Sequence, residues 1–309
     1  MAKRIANVIV DSPIREPLDY LVPADIEIQV GQRCLVPLGT RKVVGIVVGF
    51  SEESRFSKLR EVISRVDDIA PLSFGWLALT SFAARYYQSG WGQVAIPALP
   101  KFFRKLPGKL HERSLERLRK EKKRAVKEPS EKPHLNSEQS AMVEEGQMDG
   151  AFYPALIFGI TGSGKTEVYL HLMEKVLLSD PAAQVLLMVP EINLTPQLVE
   201  RVQSRFPQLE VVSWNSGMAE GQKASSWLAC HEGRARILVG TRLSVFASFK
   251  SLKLILVDEE HDPSFKSQEG VRYNARDLAL KRASIEKIPI VLGSATPSLE
   301  SYKNALEGK

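Results

Sequence analysis

The chain has 309 residues, of which 44% are apolar and 25% are charged, the proportions of an ordinary soluble protein with room for two domains. No uncharged apolar stretch approaches the roughly 18 residues that a membrane-spanning helix needs, and no signal-peptide core follows Met1, so we expect a cytoplasmic protein without membrane contact. Cys34 and Cys230 lie in unrelated contexts and cannot assemble a disulfide framework or a zinc site, so we expect two small buried side chains.

The first hundred residues predict a small antiparallel β domain with one helix packed on it. Four segments rich in β-branched residues predict strands, at 5–10, 33–37, 43–50 and 60–66, and turn residues such as Gly31 and Gly39 separate them. Apolar residues then recur with the 3.6-residue period over residues 71–88, which predicts a helix. We assign residues 1–103 to this β-rich domain.

A basic connector is predicted over residues 104–134. Between Lys101 and His134, thirteen Lys or Arg residues outnumber five acidic ones, while the rest of the chain holds 29 bases and 31 acids. The segment has too few apolar residues to bury a core, although residues 110–126 could form a solvated helix. Its charge favours polyanionic partners through counterion release, or else it is only a solvated linker.

Beyond residue 135 strands and helices alternate, which predicts an α/β domain with a mostly parallel sheet covered on both faces. The predicted strands are 156–158, 185–189, 210–212, 237–239, 254–257 and 290–292. The predicted helices are 164–178, 196–205, 221–231 and 275–287. The loop after the first strand then lies at the carboxyl end of the sheet, where open α/β sheets bind their ligands.

The stretch GITGSGKT at residues 159–166 predicts nucleotide binding, because it fits the pattern G-x-x-x-x-G-K-[ST]. It follows an apolar strand and precedes a helical pattern, so backbone N–H groups and a helix N-terminus can point at phosphate. Lys165 is expected to reach the β- and γ-phosphates, and Thr166 to bind Mg²⁺ through its hydroxyl. ATP or GTP is the predicted ligand.

Carboxylates follow the strand predicted at 254–257. Asp258 is expected to hold Mg²⁺ together with Thr166, directly or through water, and Glu259 to orient and activate the attacking water. Lys165, Asp258 and Glu259 are therefore the predicted catalytic residues. The alternative is that Glu259 and Glu260 form only a solvated strand end, although two carboxylates after an apolar strand are costly to bury without a metal.

Three other predicted strands end in polar or small residues, at 189–197 (VPEINLTPQ), 240–242 (GTR) and 293–297 (GSATP). A small P-loop kinase would have little reason to repeat such endings. In a nucleic-acid motor they would line the track of the phosphodiester backbone. An unrelated P-loop transport or kinase ATPase is the weaker alternative.

Together GSGKT, DEEH and SAT resemble motifs I, II and III of superfamily 2 helicases. The longer phrases at 161–169, 189–197 and 258–279 are similar to those of the primosomal replication-restart helicases, and the similarity covers nearly the whole chain. The resemblance implies a RecA-like lobe and an ATP- and Mg²⁺-dependent 3′-to-5′ DNA helicase that recognises stalled forks and starts primosome assembly. Implied partners are forked or single-stranded DNA with a nascent 3′ end, other primosome proteins and a single-strand-binding protein; the chain is expected to be a monomer.

The resemblance also implies site residues in the RecA-like lobe. The implied nucleotide contacts are Gln139, Gly159, Thr161, Gly162, Ser163, Gly164, Lys165 and Thr166. The implied DNA contacts are Arg242 and an aromatic-rich loop containing Phe265, Lys266, Arg272, Tyr273 and Arg276, in which the rings stack on bases and the cations bind phosphates. The alternatives are rings turned into the core and, for Gln139, a solvated first helical turn.

Residues 17–23 (PLDYLVP) and 36–39 (VPLG) resemble the 3′-end binding domain of the same helicases. By resemblance Asp19, Tyr20 and Gly39 form a pocket for the terminal nucleotide, and Arg60 stands where a basic residue is usual. A carboxylate can accept from a 3′-hydroxyl or a base, and glycine permits close backbone approach. Leu18 replaces an expected aromatic residue. Without the resemblance, Asp19 could equally be a turn-forming aspartate.

The chain departs from the family pattern in several places. The connector at 104–134 stands where a winged-helix domain is expected, and Asn215 stands where a histidine is expected. Because the chain ends soon after residue 296, we expect the lobe at 135–309 to lack a second RecA-like lobe and the zinc-binding region, whose ligands are absent here. Weak ATP turnover is therefore expected. The alternative function is a fork-end DNA-binding fragment with little ATPase.

Overall fold

The computed structural model describes residues 4–66, 68–108, 110–120, 132–146 and 150–308. They divide into two compact units, the first comprising Met1–Lys120 with Ala219–Leu228 and the second comprising Glu121–Met218 with Ala229–Lys309. Within the described ranges, every helix is too short or too polar to span a bilayer.

A six-stranded sheet forms most of the first unit. Its strands are β1 (Ile5–Ile9), β2 (Leu18–Leu21), β3 (Arg33–Leu38), β4 (Arg41–Ser51), β5 (Arg60–Glu61) and β6 (Ser64–Val66), in the order β5-β2-β1-β4-β3-β6. Neighbours pair antiparallel except β2 and β5, which are parallel. The β-rich first domain is thereby confirmed, and the structure adds β2, which the sequence pattern did not predict.

The strand predicted over residues 60–66 is instead two short strands at opposite edges of this sheet. Between them, Val62 donates its N–H to the Leu21 carbonyl at 2.9 Å, and Ile63 donates to the Leu35 carbonyl at 2.8 Å. The two edges therefore meet across these residues and the sheet closes on itself. Closure satisfies backbone groups that an open edge would leave unpaired. Val62 is buried in the enclosed core with Val8, Tyr20 and other apolar side chains.

Helices follow this sheet in the first unit. They are α1 (Phe74–Tyr86), α2 (Trp91–Ala98), α3 (Lys101–Arg104) and α4 (His111–Arg119). The first is the predicted helix, and the Ser73 hydroxyl caps it by accepting from the Trp76 N–H at 3.2 Å. The last lies within the predicted solvated helix 110–126, of which residues 121–126 are outside the described residues. The short α2 and α3 were not predicted.

From residue 132 onward the chain alternates strands and helices. The strands are β7 (Pro154–Phe158), β8 (Gln184–Met188), β9 (Glu210–Trp214), β10 (Ala235–Gly240), β11 (Leu252–Asp258) and β12 (Ile290–Ser294). The helices are α5 (Ser137–Glu145), α6 (Lys165–Ser179), α7 (Pro196–Arg205), α8 (Glu220–Glu232), α9 (Ala275–Glu286) and α10 (Leu299–Leu306). All six predicted strands and four predicted helices are present, and α5 and α10 are additional.

These strands form one sheet in the order β7-β12-β11-β8-β10-β9, and every neighbouring pair is parallel. All five residues of β8 are buried although successive side chains point to opposite faces, so both faces are covered. The α/β fold with a parallel sheet is thereby confirmed. Since β7, β12 and β11 are consecutive neighbours, the segments that follow them meet at one edge of the sheet, and this edge holds the candidate site.

Candidate functional site

The phosphate-binding loop lies between β7 and α6, as the pattern predicts. Gly162 and Gly164 have φ angles of 83° and 85°, a left-handed conformation that favours glycine. A Cβ on Gly159 would lie 2.8 Å from the Ser163 hydroxyl, so the loop has no room for a side chain there. Gly164 immediately precedes α6, so the first N–H groups of that helix are directed at the loop. The loop therefore has the form of an anion cradle.

Lys165 is held inside this loop. Its side chain is only 8% exposed, and Nζ donates to the Gly159 carbonyl at 2.9 Å and contacts the Ile160 carbonyl at 3.4 Å. Nζ also lies 3.5 Å from a carboxylate oxygen of Glu259. The structure therefore brings together a cation and a carboxylate that are 94 positions apart in sequence.

Asp258 accepts a hydrogen bond from the buried Tyr169 hydroxyl at 2.9 Å. Burial raises the pKa of Asp258 above its ordinary value, while the bond from Tyr169 opposes that rise. Burial, together with the Asp258 charge, raises the pKa of Tyr169, so its hydroxyl remains a donor. Gly293 makes this pairing possible, since a Cβ there would lie 1.6 Å from the tyrosine oxygen. The predicted metal ligand is thus oriented by a tyrosine of α6.

A polar chain joins the ends of the three neighbouring strands. His261 Nδ1 lies 2.7 Å from the Ser294 hydroxyl and 3.7 Å from Glu259, and its Nε2 lies 3.3 Å from the Thr296 hydroxyl. The Gly159 N–H donates to the Ser294 carbonyl at 3.1 Å. The phosphate-binding loop, the DEEH segment and the SAT segment are therefore connected by close polar contacts. A shift of one segment would move the other two.

Glu259 and Glu260 have different roles in the structure. Glu259 has a φ of 46°, a strained conformation for a non-glycine residue and one typical of functional positions. Glu260 is buried and accepts from Arg276 at 2.9 Å, the Ser298 N–H at 2.6 Å and the Ser301 hydroxyl at 3.0 Å. Glu260 therefore anchors α9 and α10, and Arg276 is engaged by this carboxylate instead of facing outward as a phosphate contact.

Gln139 reaches the loop from α5. Its Nε2 donates to the Ser163 carbonyl at 2.8 Å, while its Oε1 accepts from the Asn136 N–H at 3.0 Å in a capping box. A Cβ on Gly164 would lie 2.5 Å from this amide nitrogen. The glutamine is therefore fixed against the phosphate-binding loop instead of lying in a free first turn.

The arrangement fits ATP and Mg²⁺. The loop offers backbone donors and one lysine. Thr166, in the first turn of α6, offers a hydroxyl, and Asp258, at the end of β11, offers a carboxylate. Mg²⁺ is usually held by one or two carboxylates, substrate phosphates and water rather than by a protein cage. In the part of the chain that the structure describes, no group of three or more His, Cys, Asp or Glu side chains could hold a metal ion.

The aromatic-rich loop differs from the sequence expectation. Phe265 is 1% exposed and Tyr273 is 8% exposed, and Tyr273 packs edge-on against Phe246 with ring centroids 5.0 Å apart. Burial raises the pKa of Tyr273 to about 12. Both rings therefore pack in the core and present no stacking face, because apolar contacts hold the loop against the lobe. The structure therefore matches the alternative interpretation, in which the two aromatic rings are turned into the core.

The basic residues in and beside this loop fall into two groups. Lys266 and Arg272 have exposed side chains. Arg242 is committed to the loop itself, since its Nη1 donates to the carbonyls of Ser264 at 3.1 Å and Lys266 at 3.2 Å. Lys266 and Arg272 therefore carry their charges at the surface, whereas Arg242 positions the loop.

The first unit separates two clusters that the sequence placed in one pocket. Tyr20 is buried and donates its hydroxyl to the Pro37 carbonyl at 2.9 Å, and Arg60 donates to the Gly39 carbonyl. Asp19 directly precedes Tyr20 in β2, so its side chain points to the opposite face of the sheet. Its carboxylate accepts from Asn7 at 2.9 Å and from the Ser54 hydroxyl at 2.6 Å.

Asp19 lines an outward cavity of about 490 Å³. Phe56 and Trp91 line the same cavity, and Phe56 is 49% exposed, so an aromatic surface is available although Leu18 is not aromatic. Neither Gly39 nor Arg60 lines it. The residues that sequence reasoning missed here, Asn7 and Ser54, come from a neighbouring strand and a distant loop, which the local pattern around Asp19 could not indicate.

A buried carboxylate, Glu167, ties two helices of the α/β lobe together. Glu167 follows the predicted metal ligand Thr166 directly and is buried, which a lone carboxylate cannot be without a partner. Arg205 and Arg201 of α7 supply it, at 2.7 and 3.1 Å. Helix α6 is thereby clamped to the helix that follows the VPEINLTPQ segment.

Comparison with known families agrees with this arrangement. Residues 7–100 match the 3′DNA-binding domain (3′BD) of PriA, and residues 137–305 match the DEAD/DEAH box helicase domain, which is more than half of the chain. The solved helicase MrfA bound to DNA overlaps 57% of this chain and 26% of its own with a TM-score of 0.41 and 15% identity.

Among curated proteins, the chain is similar to replication restart proteins PriA. It is 35% identical to that of Rickettsia felis over 99% of this chain and 45% of the relative, and 32% identical to that of Haemophilus influenzae over 99% of this chain and 51% of the relative. Over half of this chain and 19% of the relative, it is 48% identical to that of Bacillus subtilis. The chain thus spans about half the length of the first two relatives.

The resemblance predicted from the motifs is confirmed by both family matches. The chain belongs to the DEAD/DEAH box helicases, and its N-terminal region matches the 3′DNA-binding domain of PriA.

Proposed function

We propose that this chain serves an ATP-dependent 3′-to-5′ DNA helicase that recognises stalled forks by their nascent 3′ end and starts primosome assembly. The observation that carries the proposal is the meeting of Lys165, Asp258 and Glu259 at one edge of the parallel sheet. The family matches support a helicase domain and a 3′DNA-binding domain. Direction of movement, fork recognition and protein partners are proposed from the same relationship.

In the proposed ATP site, the loop at 159–164 and Lys165 bind the phosphates, and Gln139 contacts the nucleotide from α5. Thr166 and Asp258 hold Mg²⁺, which when bound neutralises charge on the phosphates. Glu259 orients the attacking water, and its strained backbone directs the carboxylate toward the Lys165 ammonium group. His261 joins Glu259 to Ser294, so the carboxylate is coupled to the SAT segment.

In the proposed DNA contacts, Asp19 accepts from the 3′-terminal nucleotide inside the outward cavity, and Phe56 supplies the ring face that Leu18 does not. Tyr20 holds the turn that carries Gly39, and Arg60 braces it. On the α/β lobe, Lys266 and Arg272 contact phosphates. Phe265, Tyr273 and Arg242 support that loop from beneath instead of touching DNA.

A second candidate is a DNA-end recognition protein that binds nucleotide but hydrolyses it slowly. The Asp19 cavity is built wholly from the first unit. Phosphoryl transfer in comparable motors gains several orders of magnitude in rate from an added arginine that stabilises the transition state. The chain can therefore recognise DNA ends even if it hydrolyses ATP slowly.

ATP hydrolysis with and without forked DNA carrying a nascent 3′ end tests the proposal. DNA-stimulated turnover that Lys165→Ala removes would support the helicase. Fork binding with negligible turnover would favour the end-recognition protein. Absence of both DNA binding and nucleotide binding would contradict the two candidates together.

A further inference from the structure

A basic groove lies on the first unit, where a cavity of about 570 Å³ opens between the start of β4 and the segment containing α3. Four basic side chains and several apolar ones line it. We define the basic groove by Lys42, Val44, Ile96, Lys101, Arg104 and Lys105. Asp11 is the one acidic residue among those that line it.

Among the described residues that line the groove, the basic side chains outnumber the acidic one by four to one. Lys101 lies 3.7 Å from Glu220 in an exposed pair, which solvent screens. Lys42 and Lys105 extend into solvent. The Nε of Arg104 is buried and has no hydrogen-bond partner among the described residues. That nitrogen is inaccessible, so the basic groove offers its charge to a ligand through the exposed Lys42, Lys101 and Lys105 side chains.

We propose that the basic groove holds the phosphodiester backbone of single-stranded DNA. The proposal rests on the proposed DNA-binding function and adds a second contact to it. Guanidinium and ammonium groups bind phosphate with charge-assisted hydrogen bonds. The apolar residues that line the groove suit the bases of one strand, which a duplex would keep inside its stack.

This contact is separate from end recognition. Asp19, Gly39 and Arg60 are absent from the lining of the basic groove, and Lys42 and Lys105 are absent from the lining of the Asp19 cavity. Backbone binding in the groove should therefore be independent of sequence and of a free 3′ end.

Fluorescence anisotropy of a short 5′-fluorescein oligothymidine with a 3′-phosphate tests the groove, since the phosphate blocks end recognition. Each phosphate contact to single-stranded DNA contributes about 0.7 to the slope of log K against log salt. The double change Lys42→Gln, Lys105→Gln should lower that slope by about 1.4. Lys42→Arg with Lys105→Arg should keep it. Arg15→Gln with Arg85→Gln removes two exposed charges elsewhere on the unit and should leave the slope unchanged.

Several results would overturn the proposal that the basic groove binds single-stranded DNA. These are an unchanged slope in the glutamine pair, an equal loss in the Arg15 and Arg85 control, or wild-type binding that requires an unblocked 3′ end. In the last case, binding of the unblocked oligonucleotide would leave the proposed end recognition standing. Failure to bind either oligonucleotide would overturn the proposed function as well.

Discussion

Individual side chains in this protein act at a few positions where charge is buried or fixed. Lys165 is the clearest, because its ammonium group is enclosed by loop carbonyls and faces Glu259. A fixed cation in an anion cradle contributes to phosphate affinity without first having to be ordered. The same reasoning applies to Asp19, whose two carboxylate oxygens are already oriented by donors.

Lys165→Ala should weaken nucleotide binding by roughly tenfold or more, because a hydrogen bond to a charged group contributes about 1.5–3 kcal/mol. Fluorescence titration with a labelled ATP analogue measures the loss. Lys253→Ala is a suitable control, since that side chain is 45% exposed on β11 and contacts Asp180 instead of the loop. Equal loss in the two variants would contradict the assigned role of Lys165.

Asp19→Ala should reduce the preference for a 3′-hydroxyl over a 3′-phosphate end toward parity, because the acceptor is lost while the cavity remains. Dissociation constants for two oligonucleotides that differ only at that end measure the ratio. Asp25→Ala removes an exposed carboxylate from the same unit and should preserve the preference. If the preference survives in Asp19→Ala, another group recognises the end.

At the scale of elements, the site depends on how closely α6 approaches the sheet and how it is tied to α7. Gly293 lets Tyr169 pass directly over β12, and the Glu167–Arg205 pair fixes the first turns of α6 to the end of α7. Both contacts act on the helix that begins at Lys165. Their loss should therefore affect stability and the nucleotide site together.

Gly293→Ala should destabilise the α/β lobe by about 1–3 kcal/mol, the usual cost of forcing extra volume into a packed core. The added methyl group would displace the Tyr169 hydroxyl from Asp258. Chemical denaturation followed by circular dichroism measures the change. Gly221→Ala is the matched control, since a Cβ there meets no heavy atom within 4 Å. Equal stability of the Gly293 variant and wild type would show that α6 can move away from the sheet without a loss of folding free energy.

Glu167→Gln should destabilise by about 3–5 kcal/mol, because it leaves the buried Arg205 guanidinium without its principal counter-charge. Glu174, at 3.5 Å, is a weaker and more exposed partner. Denaturant midpoints compared with those of Glu144→Gln, an exposed position on α5, isolate the effect of burial. A change no larger than that of the control would mean that the clamp is not needed for stability.

At the scale of the whole molecule, the two units carry separate proposed tasks. Lys165→Ala should leave binding to forked DNA intact, and Asp19→Ala should leave nucleotide affinity intact, because the two residues lie in different compact units. Measuring both ligands on both variants checks this division. If each variant lost both activities to the same degree, the proposed division of labour would be wrong.

Much of the chain could be predicted because its signals are local. The 3.6-residue period indicated α1, and alternating apolar segments indicated the six strands of the parallel sheet. The phosphate-binding loop was predictable because glycine spacing dictates backbone conformation within a few residues. By contrast, β2 and the break at Val62–Ile63 depend on pairing with distant strands, and no local period reports such pairing.

The sequence by itself determined the family, the parallel sheet and the identity of the residues at its strand ends, because motif spacing and hydrophobic period are properties of short segments. Only the tertiary structure decided which of those side chains face solvent. It placed Phe265 and Tyr273 in the core and set Asp19 on the opposite strand face from Tyr20. It also paired the carboxylate of Glu260 with Arg276. Burial and pairing across a dozen or more positions depend on how the whole chain packs, so they could not be predicted from any single segment.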